Sequence, residues 1–160
     1  MALTTQQVAE RCTAIMWPDD HAAQGLGIVI RETTPGGAVV DMKVRQDMVN
    51  GHGICHGGFI FALADTNFAY ACNSFNHKAV AARADINFIA PAHLGATLTA
   101  VGRARHQGDD PADGVGQQVH RFVAIEAHYR LGHPVLCLFT AAEDLLGLGE
   151  HLGKAHGTGA

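Results

Sequence analysis

An apolar stretch at residues 58–76 restricts the fold of this 160-residue chain more than any other feature. It reads GFIFALADTNFAYACNSFN, is too long for a single strand, and carries apolar side chains almost all round a helix. Such a helix must be enclosed on most sides, by its own sheet or by a partner. Because its most apolar part, residues 57–72, has Asp65 and Asn67 near the centre and is shorter than a usual membrane span, we interpret it as a buried helix.

Turn signals and hydrophobic periods divide the remaining chain into one further helix and six strands. Thr4 or Thr5 is placed to cap a first helix over about residues 4–17. The predicted strands are residues 26–33, 38–44, 80–90, 98–106, 119–130 and 134–142. Pro35-Gly36-Gly37 predicts a hairpin between the first two strands. The order helix, two strands, helix, four strands predicts an α+β domain with an antiparallel sheet on one long central helix.

Length and composition limit the domain count and the classes of partner. A mass of 16.9 kDa fits one domain, which we place at residues 1–146, followed by a flexible tail at 147–160. The formal net charge of -4 leaves no broad basic surface, so nucleic acid is not expected as a partner. Four separated cysteines without a CxxC pair predict a reducing, cytoplasmic location, and the N-terminus lacks a secretory pattern. To the acidic loop at 108–116 we assign no function.

The stretch NGHGICHGG, directly before the helix, holds His52, Cys55 and His56 close together. Metal ligands four residues apart need a common helical face, whereas the glycines here predict a loop, so a metal site is the secondary interpretation. A helix that starts at Gly57 and Gly58 presents free backbone N–H groups at the positive end of its dipole. Such a start can polarise a carbonyl oxygen or hold an oxyanion. No Lys-Ser/Thr follows, so the pattern is not a P-loop.

Asp65 is the second candidate functional group. It lies eight residues after Gly57, about two helical turns away, and no Arg or Lys lies within one turn of it. Burial of an unpaired carboxylate costs several kcal/mol, so this side chain must face a cavity, find a distant partner or stay protonated. Each of these three situations predicts a perturbed acid, that is, a carboxyl whose pKa is shifted from its usual value. The residue pattern leaves a structural role open as well, in which Asp65 accepts hydrogen bonds from backbone N–H groups.

The run of residues 50–58, with Leu63-Ala64-Asp65 and the helix end at 69–74, resembles the hot-dog thioesterases. The resemblance is closest to the PaaI-type hydroxyphenylacetyl-CoA thioesterases of phenylacetate degradation, and it extends to residues 26–28, 87–89 and 105–108. It implies a hot-dog fold, in which the sheet wraps round the helix. It also implies a homodimer with active sites at the subunit interface, commonly joined as a homotetramer. The implied substrates are acyl-CoA thioesters, with no metal or organic cofactor and no membrane partner.

The resemblance also implies roles for single residues. Asp65 activates water or attacks the thioester itself, and the Gly57 N–H polarises the thioester carbonyl. Asn50 orients water or the acyl group from across the interface, and His56 supports the loop. The implied substrate contacts are Gly58, Asp19, Arg83, Asn87 and Arg105. A helix-turn cap is the alternative for Asp19, and a solvated strand face is the alternative for the two arginines.

Two positions depart from the pattern of many relatives. Ala90 stands where many carry an arginine, and Ala96 where many carry an aspartate, so the contacts to the CoA phosphates or the tetramer packing are expected to differ.

The resulting hypothesis is hydrolysis of (hydroxy)phenylacetyl-CoA or a similar aryl or medium-chain acyl-CoA. The alternative is a hot-dog protein that binds acyl-CoA without hydrolysing it.

Overall fold

The computed structural model describes residues 2–108, 119–122, 128–129 and 137–143, and their side chains over 2–81 and 84–103. The helices are α1 (Thr5–Met16), α2 (His21–Leu26) and α3 (Gly57–Asn73), with single 3-10 turns at Trp17–Asp19 and Gln46–Met48. The strands are β1 (Val29–Thr34), β2 (Gly37–Lys43), β3 (Ala81–Phe88), β4 (Thr97–Gly108), β5 (Val119–Phe122), β6 (His128–Tyr129) and β7 (Cys137–Glu143).

The first helix begins where its capping residues require. The Thr4 side chain accepts a hydrogen bond from the Gln7 backbone N–H at 3.2 Å, and the Gln7 side chain accepts from the Thr4 N–H at 2.9 Å. This reciprocal pair satisfies two N–H groups that the helix leaves unpaired. The predicted first helix is therefore confirmed, with Thr4 as its cap.

The short helix α2 is absent from the sequence-based prediction, which has a strand starting at residue 26. That strand start was wrong. Asp20 caps α2 by accepting a hydrogen bond from the Ala23 N–H at 3.0 Å, and Gly27 ends the helix in the left-handed region at φ 70°. The chain therefore enters β1 only at Val29.

The strands form one antiparallel sheet in the order β1-β2-β4-β5-β7-β3, with β6 also pairing with β4. The predicted hairpin is confirmed, since Thr34 of β1 pairs with Gly37 of β2. Of the strand predicted at 119–130, β5 and β6 are described and both pair with β4; residues 123–127, 130 and 134–136, the loop beyond Gly108 and the tail lie outside the described residues. An antiparallel sheet around one long helix is the predicted α+β, hot-dog arrangement.

Helix α3 packs mainly against β2 and β4. Its buried side chains are Ile60, Leu63, Ala64, Asn67, Phe68, Tyr70, Ala71 and Cys72. It ends at Asn73 rather than at residue 76, because Ser74 hydrogen-bonds back to the Ala71 carbonyl and Asn76 takes φ 62°. Within the described chain its opposite face stays partly open, and Asp65 lies on that open face. None of the described helices combines the length and the apolar character that crossing a bilayer demands.

Asn67 joins the helix to two strands. Its Nδ2 atom donates to the Ala38 carbonyl of β2 at 2.8 Å and to the Ala100 carbonyl of β4 at 3.0 Å. Its Oδ1 atom is buried without a hydrogen-bond partner among the described residues and lies against Gly102. Because glycine has no Cβ, it leaves the space that this side chain fills.

Candidate active site

The loop before α3 is held by backbone hydrogen bonds on both sides. The Asn50 N–H donates to the Ile54 carbonyl at 2.9 Å, which closes the loop on itself. The Cys55 N–H donates to the Ala92 carbonyl at 2.7 Å, and the His56 N–H donates to the Met48 carbonyl at 2.8 Å. Gly53, at φ 76°, allows the sharp turn. The predicted loop is confirmed, and its position relative to α3 is fixed.

The helix start leaves one backbone donor free. His56 caps α3, because its Nδ1 atom accepts a hydrogen bond from the Gly58 N–H at 3.2 Å. The Gly58 N–H is thus engaged by the cap and does not face a ligand. The Gly57 N–H has no partner among the described residues, and it carries the positive end of the helix dipole. This N–H is the available donor at the site.

A cleft of about 570 Å³ opens beside this donor. Its walls include Asn50, Gly57, Ile54, Ile60, Phe88 and Ile89. The Phe88 ring rests directly on Gly57, since a Cβ placed on that glycine would lie 2.9 Å from Phe88 Cζ. Yet Phe88 is 53% exposed in the single chain, an unusual position for a large aromatic ring. The cleft is therefore mostly apolar, with a backbone donor at its edge.

Asn50 is half-buried in the same cleft as Gly57. Its Oδ1 atom accepts hydrogen bonds from the His52 N–H at 2.9 Å and the Ile54 N–H at 3.4 Å. These two hydrogen bonds orient the Asn50 side-chain amide and leave its two Nδ2 protons available as donors. The structure brings Asn50 and Gly57 together within one chain.

Asp65 lies elsewhere on the surface. Eight residues along α3 correspond to a rise of about 12 Å from Gly57, and Asp65 does not line the cleft. Its side chain is exposed, with no hydrogen bond or ion pair in the described part of the chain, so the structural role as an N–H acceptor finds no support there. Surrounding protein atoms nonetheless remove enough water to raise the pKa of this carboxyl, and the charge of Asp20 raises it further. The raised pKa agrees with the expectation of a perturbed carboxyl at this position.

Sequence reasoning missed Asp20 and Tyr70. The Tyr70 hydroxyl donates to Asp20 Oδ2 at 3.1 Å, while Oδ1 of the same carboxylate caps α2. Burial, with the nearby Asp20 charge, raises the pKa of Tyr70 far above its usual value, so this hydroxyl stays protonated and donates. A tyrosine inside an apolar helix was the available signal, because a buried hydroxyl needs a hydrogen-bond partner.

Of the remaining predicted contacts, Asp19 and Asn87 do not line the cleft. Asp19 is exposed at the end of a 3-10 turn, and the cap assigned to it as an alternative belongs to Asp20 instead. Asn87 is exposed on β3, next to Phe88. The side chains of Arg83 and Arg105 lie outside the described ones. Over the described ranges, no three His, Cys, Asp or Glu side chains are grouped as metal ligands would be.

Comparisons with known proteins agree with this geometry. The thioesterase superfamily model matches residues 52–110, which include α3 and the cleft walls other than Asn50. The chain is 52% identical over 93 residues to the acyl-coenzyme A thioesterase PaaI of Escherichia coli, a match that covers 58% of this chain and 66% of that enzyme.

Two solved structures share the fold. The E. coli PaaI protein from the phenylacetic acid degradation operon superposes with a TM-score of 0.80 at 39% identity, over 90% of this chain and 97% of that one. A hypothetical thioesterase from Streptococcus pneumoniae, solved with coenzyme A, superposes with a TM-score of 0.64 at 25% identity, over 75% of this chain and 89% of that one.

Proposed function

This chain belongs to the thioesterase superfamily as a thioester hydrolase of the PaaI type, and from this premise we propose that it converts acyl-CoA thioesters to free acid and CoA. The proposed acyl groups are (hydroxy)phenylacetyl and similar aryl or medium-chain groups. The observation that carries the proposal is the unpaired Gly57 N–H at the edge of an apolar cleft. The CoA in the S. pneumoniae structure supports the same substrate class.

The Gly57 N–H is the proposed oxyanion donor. When a nucleophile attacks the thioester, negative charge develops on the carbonyl oxygen, and a fixed donor at a helix N-terminus stabilises that charge. Once a partner chain covers the exposed Phe88 ring and Ile89, the apolar walls would exclude water from the cleft, which would strengthen the hydrogen bond. The His56 cap keeps the first helical turn in place and so aims the donor.

Asp65 is the proposed base or nucleophile. As a base, it takes a proton from water while the water oxygen bonds to the carbonyl carbon; the C–S bond then breaks and CoA leaves as the thiol after protonation. As a nucleophile, its carboxylate oxygen bonds to the carbonyl carbon while the C–S bond breaks and CoA leaves as the thiolate, which is then protonated; water hydrolyses the resulting acyl anhydride to the free acid and the Asp65 carboxylate. A carboxyl whose pKa is raised is a stronger base in its ionised form, which suits either route.

We further propose that the site is formed by two chains. Gly57 and Asp65 are separated by about 12 Å along one straight helix, so a single chain cannot bring both to one carbonyl. β3 is an edge strand of the described sheet, and Phe88 at its end and the flanking residues Val80 and Ile89 expose apolar surface. A homodimer that covers this surface would place Asp65 of one chain opposite Gly57 and Asn50 of the other. Pairing of two dimers would give the homotetramer.

The proposed reaction uses no metal or organic cofactor, because a helix N-terminus, a carboxylate and water supply the required groups. We also propose a cytoplasmic location. The reduced cysteines Cys12 and Cys55 support a reducing compartment.

A panel of thioesters tests the activity. Purified protein is mixed with phenylacetyl-CoA, hydroxyphenylacetyl-CoA and octanoyl-CoA, and the released CoA thiol is measured with a chromogenic disulfide. We expect steady hydrolysis of at least one of them, with the aryl-acetyl thioesters preferred. Tight binding without thiol release would instead identify a non-catalytic acyl-CoA-binding protein, and neither binding nor release would overturn the proposal.

Gly57→Ala tests the donor. The new Cβ would lie within 3.2 Å of two Phe88 ring atoms, so either the ring or the helix start must move. A displaced N–H stabilises the oxyanion less well, and we expect kcat to fall by about one to two orders of magnitude. Gly51→Ala is the matched control in the same loop, because a Cβ there meets nothing within 4 Å. Partial recovery in Gly57→Ala/Phe88→Leu would identify the clash as the cause, whereas an unchanged kcat in Gly57→Ala would exclude this donor.

A further inference from the structure

We propose that the Phe88 ring is the specificity-determining group of the cleft and selects acyl groups with an aromatic ring one methylene away from the thioester carbonyl. The inference rests on the proposed function, in which the Gly57 N–H holds that carbonyl. A single side chain would then distinguish an aryl-acetyl group from a saturated group of similar size.

Phe88 ends β3 with its ring on the helix side of the sheet. Successive residues of a strand face opposite sides, and Ile86, two positions earlier, packs against the core around α3. The Phe88 Cζ, Cε1 and Cε2 atoms would lie 2.9, 3.2 and 3.4 Å from a Cβ on Gly57. Because these three atoms form the far end of the ring, its tip meets the glycine. The two faces of the ring are left for a ligand or a partner chain.

The other walls of the cleft do not recognise an aromatic group as such. Of the described residues that line it, Phe88 alone is aromatic, and Ile54, Ile60 and Ile89 supply aliphatic surface. Aliphatic walls bury a phenyl and a cyclohexyl group about equally, since the gain follows the apolar area removed from water. Phe88 is 53% exposed, so its ring has surface to offer a bound acyl group. Selection between the two groups therefore depends on Phe88.

The proposed reaction brings the acyl group to this ring. A carbonyl oxygen that accepts from the Gly57 N–H lies about 2.9 Å from the nitrogen. In a phenylacetyl thioester the aromatic ring begins two bonds beyond the carbonyl carbon. A group bound at this donor is thus close enough for its ring to meet Phe88, whose tip already contacts Gly57. Two such rings attract each other in edge-to-face or offset arrangements, with centroids about 4.5–7 Å apart.

The ratio of kcat/KM for phenylacetyl-CoA to that for cyclohexylacetyl-CoA tests the inference. Both thioesters carry the same CoA, so contacts to CoA and the amount of active protein cancel in the ratio. Phe88→Leu should lower the ratio by about two- to tenfold, the effect of one aromatic pair. Phe88→Tyr keeps the ring and should retain the wild-type ratio. Val80→Ala is the matched control, because it shortens an exposed apolar side chain that flanks the same strand outside the cleft; its ratio should not change.

A binding measurement covers a Phe88→Leu protein that folds but does not turn over. Thioethers of CoA with a 2-phenylethyl or a 2-cyclohexylethyl group cannot be hydrolysed, and calorimetric titration gives their Kd values. The preference for the phenyl compound should weaken by the same factor. Phe88→Met is a second variant without a ring, for the case in which Phe88→Leu does not fold.

An unchanged ratio in a folded variant without the ring overturns this inference, whether it is measured as kcat/KM or, for an inactive variant, as Kd. Equal losses for both thioesters are such a result, because they would place the ring against CoA instead of the acyl group. Wild-type hydrolysis would still stand in that case. Absence of hydrolysis of any thioester by the wild-type protein would instead overturn the proposed function, so the two failures are distinguishable.

Discussion

Replacement of Asp65 by asparagine is expected to lower kcat for acyl-CoA hydrolysis by about a thousandfold. An amide of the same size neither accepts a proton from water nor attacks a thioester, and loss of a general base costs about two to four orders of magnitude. Stability should change little, because the side chain is exposed and makes no hydrogen bond in the described part of the chain. Steady-state kinetics and urea unfolding of the same preparation measure both quantities.

A mixing experiment shows whether the lost group acts within its own chain or in the partner's site. Asp65→Asn and Gly57→Ala are each expected to be nearly inactive as homodimers. In a dimer of one chain each, one site carries both lesions and the other carries neither, so random exchange should restore about a quarter of the wild-type activity. A rate for Asp65→Asn within tenfold of wild type would contradict the assignment, and failure of two folded variants to complement would place the site within one chain.

Gly102→Ala is expected to lower the free energy of unfolding by about 3 kcal/mol, the upper range for overpacking a core. The new methyl group would collide with the buried Asn67 Oδ1 atom. Asn67 cannot retreat without breaking its hydrogen bonds to the Ala38 and Ala100 carbonyls. Gly25→Ala is the control, because nothing lies within 4 Å of a Cβ there and alanine favours the helix.

The Asn67→Ala background identifies the cause. With the amide removed, the methyl group at position 102 meets open space, so Gly102→Ala should then cost less than about 1 kcal/mol. A cost that stays the same in both backgrounds would mean that strand strain, and not the collision with Asn67, limits position 102. Urea unfolding of the four proteins completes the cycle.

The sequence alone predicts those elements that depend on local pattern. The Thr4 capping box, the Pro35-Gly36-Gly37 hairpin and the long apolar helix are each encoded within a few turns of chain, and the structure has all three. The short α2 was missed because six residues carry too few periods for a helical pattern to be distinguished from a turn.

Long-range relations could not be predicted in the same way. The partners of Asn67 are backbone carbonyls of two strands far away in sequence, and the contact between Asp20 and Tyr70 spans fifty positions. An apolar helix must be enclosed on most sides, but a hydrophobic period does not tell whether the chain's own sheet or a second chain encloses it. The open face of α3, with Asp65 on it, therefore appears only in the folded chain.

The separation of Gly57 and Asp65 along α3 has a genetic consequence if the site is shared between chains. Each polypeptide would then contribute residues to two different catalytic centres. A substitution in one chain would therefore inactivate a site whose other residues belong to its partner. An allele that encodes Asp65→Asn would inactivate one centre for every mutant chain, and activity in a mixed population would fall linearly with its share. Such an allele would be recessive in effect rather than dominant, and a second allele with the complementary lesion would partly rescue it.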